Sequence, residues 1–150
     1  MFDVLIYLYE TYWRPETCPS AEQLSQQLSD AGFERNDIHA ALNWLNGLKS
    51  AAHSNPQVAG HDSTRIYSEA EIAHLGPEGI AFLNFLSSVQ ALTPHMRELV
   101  IDRVQSIPFA PVELHLIKIC VLMVYWTVGY EPDALILDEL IHPLQHHMLH

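Results

Sequence analysis

The sequence feature that most constrains the fold is an apolar run from Ile119 to Tyr130. A helix that is apolar on all sides has to be enclosed by other elements, because no face of it is suited to water. The run is also too short to span a bilayer, which needs about 20 residues. We therefore predict a helix from about residue 112 to residue 128 in the middle of the core, ended by Gly129, and no contact with a membrane.

Apolar residues recur at helical spacing along most of the remaining chain, and proline or capping residues separate the segments. The predicted helices cover residues 2–14, 21–31 and 34–48, a short segment after Ser68, a segment that starts at Pro77, a segment that follows Thr93 and a last segment that starts at Pro132. Residues 49–63 lose the helical period and are predicted to form a loop. Residues 64–67 alternate and are prone to β-structure, so they predict one strand of a small hairpin.

Three helices, a polar loop and a strand follow one another in the order of a winged-helix domain. We therefore predict a mostly α fold, in which a helical N-terminal half with a small β-hairpin (winged-helix-like) packs on a C-terminal helical half. The 150 residues fit a single domain, with a soft subdivision into residues 1–92 and 93–150. A three-helix module of the ubiquitin-binding type is the alternative for the N-terminal half, because Ala-Gly-Phe at 31–33 and Ala-Ala-Leu at 40–42 are similar to its turn and helix.

The charge balance constrains the class of partner. Seven basic residues face eighteen acidic residues, and the net charge is −11. A field of this sign repels phosphate backbones and acidic membrane surfaces, and it favours basic or apolar partners. A helix in the major groove needs basic or amide side chains at exposed positions. Helix 34–48 has the amides Asn36, Asn43 and Asn46, but its one fixed positive charge, Arg35, is set against Glu34 and Asp37, which is wrong for contact with phosphates. Direct nucleic-acid binding through a winged helix is therefore the alternative hypothesis, ranked after protein binding.

The residues that could support metal chemistry form no constellation above chance. Glu71 with His74, and Glu139 with His142, have the i, i+3 spacing of di-iron bundles, but about one such pair is expected by accident. A denser group at the C-terminus is predicted to be solvated, and the sequence leaves its metal binding open: His142, His146, His147 and His150. We predict no enzyme activity, no cofactor and no metal site.

The two cysteines bear on the compartment. Cys18 and Cys120 make no disulfide framework, and Cys120 lies in the apolar run, where an inert buried thiol is expected. Free thiols suit a reducing compartment. The first residues also lack the basic region and the cleavage site of a secretory signal. We therefore expect a cytoplasmic protein.

Three residues are predicted to contact a protein partner. Arg65 and Tyr67 lie on the predicted exposed strand, whose edge is suited to pairing with another chain. Trp44 is offset from the apolar stripe of helix 34–48 and lies near the polar loop. Aromatic residues also crowd the first helix and are a further candidate surface, although packing against the C-terminal helices is the preferred interpretation: Tyr7, Tyr9, Tyr12 and Trp13.

The chain as a whole resembles the bacterial Smg family. Segments that carry the resemblance include Met-Phe-Asp-Val-Leu at 1–5, Asp-Ala-Gly-Phe at 30–33, Arg-Ile-Tyr at 65–67, Val-Ile-Asp-Arg-Val at 100–104 and Met-Leu-His at 148–150. The resemblance implies a small cytoplasmic proteobacterial protein whose gene often lies beside genes for DNA processing and topoisomerase. It implies no catalytic or binding residues. We therefore expect a non-catalytic accessory or regulatory protein that acts through protein–protein contacts in a DNA- or RNA-handling assembly.

Overall fold

The computed structural model describes residues 1–54 and 66–148, and of residue 54 and residues 142–148 it describes the helical backbone alone. The described residues form seven α-helices and a one-turn 3-10 helix at Pro15–Thr17. The α-helices are α1 (Phe2–Thr11), α2 (Ala21–Asp30), α3 (Arg35–Ser54), α4 (Glu69–Ser88), α5 (Pro94–Gln105), α6 (Leu114–Val128) and α7 (Ala134–Met148).

Helix α6 lies in the middle of the protein, which confirms the prediction from its apolar sequence. Every residue from Ile117 to Trp126 is buried, and α1, α3, α4, α5 and α7 all contact this helix. Gly129 ends it in the left-handed conformation, with φ +78°, and its N–H donates to the Tyr125 carbonyl oxygen over 2.9 Å. The buried core extends from Val4 to Leu140. Within the described ranges, no helix has both the length and the apolarity that a membrane span requires.

The predicted β-hairpin is wrong, and with it the winged-helix interpretation. The described residues on both sides of the gap contain no strand, and Ile66 and Tyr67 form an irregular lead into α4. Ile66 is 84% exposed, so it does not supply the buried face that a strand of a wing would need. At this point the chain forms a capping box at the start of α4. The Ser68 hydroxyl accepts from the Glu71 N–H, and the Glu71 carboxylate accepts from the Ser68 N–H.

Other boundaries differ from the sequence predictions for local reasons. Helix α1 ends at Thr11 instead of residue 14, since Tyr12 is already extended at φ −115° and ψ 131°. Pro15 excludes the helical region for Arg14, which is also extended, at φ −145° and ψ 158°. Helix α3 continues to Ser54, through the first part of the predicted loop. Helix α4 combines the two predicted segments, with a kink at Gly76, where φ is +68°.

The N-terminal helices pack on the C-terminal ones. Helix α2 contacts α3, and α3 in turn contacts α1, α5 and α6. At the turn between α2 and α3, the ring of Phe33 packs edge-on against Tyr7 of α1, with centroids 5.4 Å apart. Ala41 lies fully inside the core. Phe33 and Ala41 of the motif that suggests a ubiquitin-binding module therefore contribute to internal packing, whereas Ala31 and Ala40 are exposed, and the ubiquitin-binding use stays a hypothesis.

Candidate functional site

A cleft of about 330 Å³ opens where the C-terminal ends of α1 and α6 meet the start of α7. Aromatic rings make up much of its wall. The residues that line it are Tyr9, Trp13, Arg14, Tyr125, Trp126, Gly129, Tyr130, Glu131, Pro132 and Leu137. A volume of this order lies at the lower end of the range for ligand pockets.

The position of the cleft follows from how α1 ends. Tyr12 and Arg14 are both extended, and Pro15 keeps Arg14 in that region, so Trp13 and Arg14 leave the axis of α1 and line the cleft beside the end of α6. The indole Nε1 of Trp126 donates to the Tyr12 carbonyl oxygen over 3.0 Å. This bond satisfies a backbone group released at the helix end and fixes α1 against α6.

Contacts beneath the cleft fix Tyr125 and Tyr130, two of the aromatic residues that line it. The Tyr125 hydroxyl donates to the Ala91 carbonyl oxygen over 2.5 Å, and the ring of Tyr125 lies 5.0 Å from that of Tyr130. Burial raises the pKa of Tyr125 well above its usual range, so the phenol stays protonated and keeps donating at any ordinary pH. Tyr130 is thus packed on a residue that cannot move freely.

One wall of the cleft carries a solvent-exposed tryptophan. Trp13 is 71% exposed, although it is among the most hydrophobic side chains of the protein. Tyr9 lies one helical turn earlier on α1, and partial burial raises the pKa of its hydroxyl. The preferred sequence interpretation, that the C-terminal helices cover the aromatic strip of α1, therefore does not hold for Trp13.

The same wall carries a guanidinium group that has no acidic partner among the residues the structure describes. Arg14 stacks over the Trp13 ring, with its Cζ 4.6 Å from the ring centroid. Its other side rests against Gly129, where a Cβ atom would overlap the guanidinium nitrogen. Among the described residues, neither a hydrogen bond nor an ion pair reaches this guanidinium, and Glu131 lines the same cleft without pairing with it.

The sequence-predicted partner residues lie elsewhere. Trp44 is only 6% exposed and packs between α3 and α5, where its indole Nε1 lies 3.4 Å from the Arg103 carbonyl oxygen. Tyr67 is partly buried, and its hydroxyl lies 3.4 Å from Asn84 Oδ1 of α4. Arg65 lies outside the described residues. The structure therefore does not join Trp44 and Tyr67 into one surface.

The candidate metal ligands near α4 are engaged in local contacts. Glu71 takes part in the capping box, and His74 Nδ1 lies 3.2 Å from the Ala70 carbonyl oxygen. Glu139 pairs with Lys118 at 3.4 Å. In the part of the chain that the structure describes, no group of three or more His, Cys, Asp or Glu side chains is suited to a metal ion. The side chains of His142, His146, His147 and His150 lie outside the described residues.

Both cysteines have an environment that suppresses the thiolate. Burial raises the pKa of the Cys120 thiol to about 12, and burial also raises the pKa of Cys18. Since the thiolate is the nucleophile, neither residue is activated for covalent chemistry.

Sequence reasoning missed most of the cleft. The sequence pattern places Trp13 among several aromatic residues on the first helix and Gly129 at the end of α6. It does not indicate Arg14, Tyr130 or Glu131. A usable signal is the Arg-Pro order at 14–15, since the residue before a proline is pushed out of the helical region.

These features define a small protein whose described secondary structure is entirely helical, with an aromatic cleft at its surface. Over residues 1–150 the chain matches the family described as "Protein of unknown function (DUF494)". It is 51% identical over 150 residues to the protein Smg homolog of Leptothrix cholodnii and 49% identical over 150 residues to that of Methylibium petroleiphilum, with 100% of both chains covered in each case. It is 45% identical over 143 residues to the protein Smg homolog of Bordetella pertussis, with 94% of each chain covered. The chain therefore belongs to the Smg family, which confirms the resemblance. No solved structure matches it.

Proposed function

We propose that this protein is a non-catalytic accessory protein that binds another protein through the aromatic cleft between α1, α6 and the start of α7. The observation that carries the proposal is the exposure of Trp13, at 71%, on the wall of a cleft lined with further aromatic rings. Tryptophan, tyrosine and arginine are the residues that most often dominate protein interfaces. All three types meet at this cleft.

The cleft is also preorganised for binding. Its walls are fixed by the bond from Trp126 to Tyr12 and by the bond from Tyr125 to Ala91. A partner that binds here orders few side chains, which reduces the entropic cost of association.

The non-catalytic part of the proposal is supported by the state of the nucleophiles. Burial raises the pKa of Cys18 and of Cys120, so both thiols are protonated at neutral pH. In the cleft itself, the side chains suit recognition: aromatic rings, a guanidinium and one carboxylate.

Direct nucleic-acid binding has less support. The groove between α2 and α3, about 530 Å³ in volume, places Glu22 beside Arg35 and His39. With a net charge of −11, the protein has few cations with which to release counterions from a phosphate backbone. We therefore place the protein as a cytoplasmic accessory component of a DNA- or RNA-handling assembly, attached through its protein partner.

Affinity purification of the tagged full chain from its native organism tests this function. We compare the unmodified protein with Trp13→Ala and with Phe109→Ala, a matched control, since Phe109 is 50% exposed but lies between α5 and α6 outside the cleft. We expect a stoichiometric protein partner whose association survives nuclease treatment. The amount of this partner that is recovered should fall at least tenfold with Trp13→Ala and should stay unchanged with Phe109→Ala. Retention of every partner by Trp13→Ala, or loss of all partners on nuclease treatment, would overturn the proposal.

A further inference from the structure

We propose that the cleft recognises the C-terminal residue of its partner chain, with Arg14 binding the terminal carboxylate and the aromatic wall binding an apolar last side chain. This inference rests on the proposed function and specifies which part of the partner enters the cleft.

Arg14 differs from the other cations that lack an acidic partner in the described part of the chain. Arg35 and Lys49 are exposed, so water solvates their charges. Arg14 is partly buried between the Trp13 ring and the backbone of Gly129, which restricts its access to water. A guanidinium in this position gains most from an anion that meets its planar fork with two parallel hydrogen bonds, as a carboxylate does.

The imbalance is notable because acids are abundant in this protein. Eighteen acidic residues accompany seven basic ones, and three of the described basic side chains do have acid partners: Arg97 with Glu98, Arg103 with Asp102, and Lys118 with Glu139. Glu131 lines the cleft with Arg14 and yet makes no ion pair with it in the described structure. Arg14 is thus a positive site within an acidic surface, and charge complementarity favours an anionic group there.

The neighbours of Arg14 specify what else the ligand carries. Tyr9, Trp13 and Tyr130 present ring surface for an apolar side chain. Glu131 offers an acceptor for an amide N–H. The last residue of a polypeptide is the one residue that combines a main-chain carboxylate, its own side chain and an amide N–H. An internal aspartate or glutamate uses its side chain as the carboxylate and has no apolar group left on that residue.

The size of the cleft agrees with this ligand. A volume of about 330 Å³ accommodates one aromatic or long aliphatic residue. Capture of a terminal carboxylate is a recurrent mode of peptide recognition.

The test is a titration of the isotope-labelled full chain, followed by the amide and indole N–H signals in NMR spectra. The probes are N-acetyl-phenylalanine, which has a terminal carboxylate, its C-terminal amide, which has none, N-acetyl-glutamate amide, whose carboxylate is on the side chain, and adenosine monophosphate. For a ligand as small as N-acetyl-phenylalanine we expect a Kd on the order of 1 mM. The shifts should concentrate on the Trp13 indole and the Gly129 amide. The amide and the glutamate derivative should bind at least tenfold more weakly.

Variants identify the group that binds the carboxylate. Arg14→Gln should lower the affinity for N-acetyl-phenylalanine at least tenfold without changing the weak binding of its amide. Arg14→Lys should lower this affinity by a smaller factor, because lysine keeps the charge but lacks the planar fork of the guanidinium. Arg35→Gln, at an exposed site on α3, should have no effect. Equal affinity for the acid and the amide, an unchanged affinity in Arg14→Gln, or tighter binding of adenosine monophosphate would overturn the inference. If Trp13→Ala loses the cellular partner while Arg14→Gln keeps it, the inference fails and the proposed function stands.

Discussion

Trp44 of α3 and Arg103 of α5 each direct their side chain to the main-chain carbonyl oxygen of the other. Arg103 Nη1 donates to the Trp44 carbonyl oxygen over 3.1 Å, and the indole Nε1 of Trp44 donates to the Arg103 carbonyl oxygen over 3.4 Å. The guanidinium also lies over the indole, 5.7 Å from the ring centroid, and against Gly47, where a Cβ atom would collide with it. The two residues therefore fix α3 to α5 through the side chains and the backbone of both.

This exchange predicts energetic coupling between the two positions. Trp44→Phe removes the indole donor to the Arg103 carbonyl oxygen, which still accepts from the Ser106 hydroxyl, and Arg103→Gln removes the guanidinium donor to the Trp44 carbonyl oxygen. Each change should lower the free energy of unfolding by about 0.5–1.5 kcal/mol. The decrease in the free energy of unfolding of the double variant should be smaller than the sum of the two single decreases, by roughly 0.5–3 kcal/mol. Urea unfolding of the four proteins measures this coupling. Strict additivity would show that the two bonds act independently.

A pH dependence is predicted for Cys120. Burial raises the pKa of its thiol to about 12, above the ordinary value of about 9, so in this interval the unfolded chain loses the proton and the folded protein keeps it. The unfolded state then binds fewer protons, and the free energy of unfolding falls as the pH rises from 9 toward 12, by up to about 1.4 kcal/mol per pH unit. Cys120→Ala should flatten this slope between pH 9 and 10, whereas Cys18→Ala should change it less. Parallel pH profiles for the protein and Cys120→Ala would contradict the assignment.

Lys118 is predicted to be replaceable by an apolar side chain of similar size. It is 6% exposed, its Nζ lies 3.4 Å from the carboxylate and the carbonyl oxygen of Glu139, and it lies 5.3 Å from the centroid of the Phe82 ring. Because the ammonium loses hydration inside the protein, Lys118→Met should change the free energy of unfolding by less than about 1 kcal/mol. Lys118→Ala, which also removes the packed stem, should lower it by about 2 kcal/mol or more.

Chemical denaturation of these variants beside Lys49→Met, at an exposed position of α3, provides the measurement and its control. A loss of several kcal/mol in Lys118→Met would mean that the contacts of the ammonium outweigh the cost of its desolvation.

The start of α4 depends on the capping box at Ser68. Ser68→Ala removes the acceptor for the Glu71 N–H and should lower the free energy of unfolding by about 0.5–2 kcal/mol. Ser29→Ala, on the exposed face of α2, is the matched control and should change it by less than about 0.5 kcal/mol. Thermal unfolding followed by circular dichroism compares the two. An equal effect of both substitutions would remove the support for the capped start that replaced the predicted strand.

The elements that the sequence predicts well are those fixed by local chemistry or by all-round burial. The apolar run identifies α6 as the central helix, and the hydroxyl of Thr93 caps α5 by accepting from the Met96 N–H. The prediction of the hairpin is wrong because alternation over four residues is a weak signal, and because a strand also needs a second strand with which to pair. The sequence predicts helix α3 too short because the Ser, Asn, Pro, Gly, His and Asp residues of 49–63 favour a loop, whereas Ala51 and Ala52 within that stretch favour helix and pack on the core.

The cleft was predictable only in part. An aromatic cluster on the first helix was visible, but not which ring stays exposed, since that depends on α6 and α7 arriving from the other end of the chain. The stacking of Arg14 against Gly129 joins two residues that no local pattern relates. The opposite error occurs at Trp44, which the sequence predicts as a partner contact but which is buried. Its offset from the apolar stripe of its own helix is explained by its contacts with Arg103 on α5.

The most direct test of the account is site-specific photocrosslinking in living cells of the native organism, with p-benzoyl-phenylalanine in place of Trp13 or, separately, in place of Phe109. We predict one discrete protein adduct from position 13 and none of that mass from position 109. We also predict that the adduct maps to the C-terminal residues of the partner. The absence of an adduct at position 13, or the same adducts from both positions, would contradict the claim that this cleft is the surface through which the protein acts.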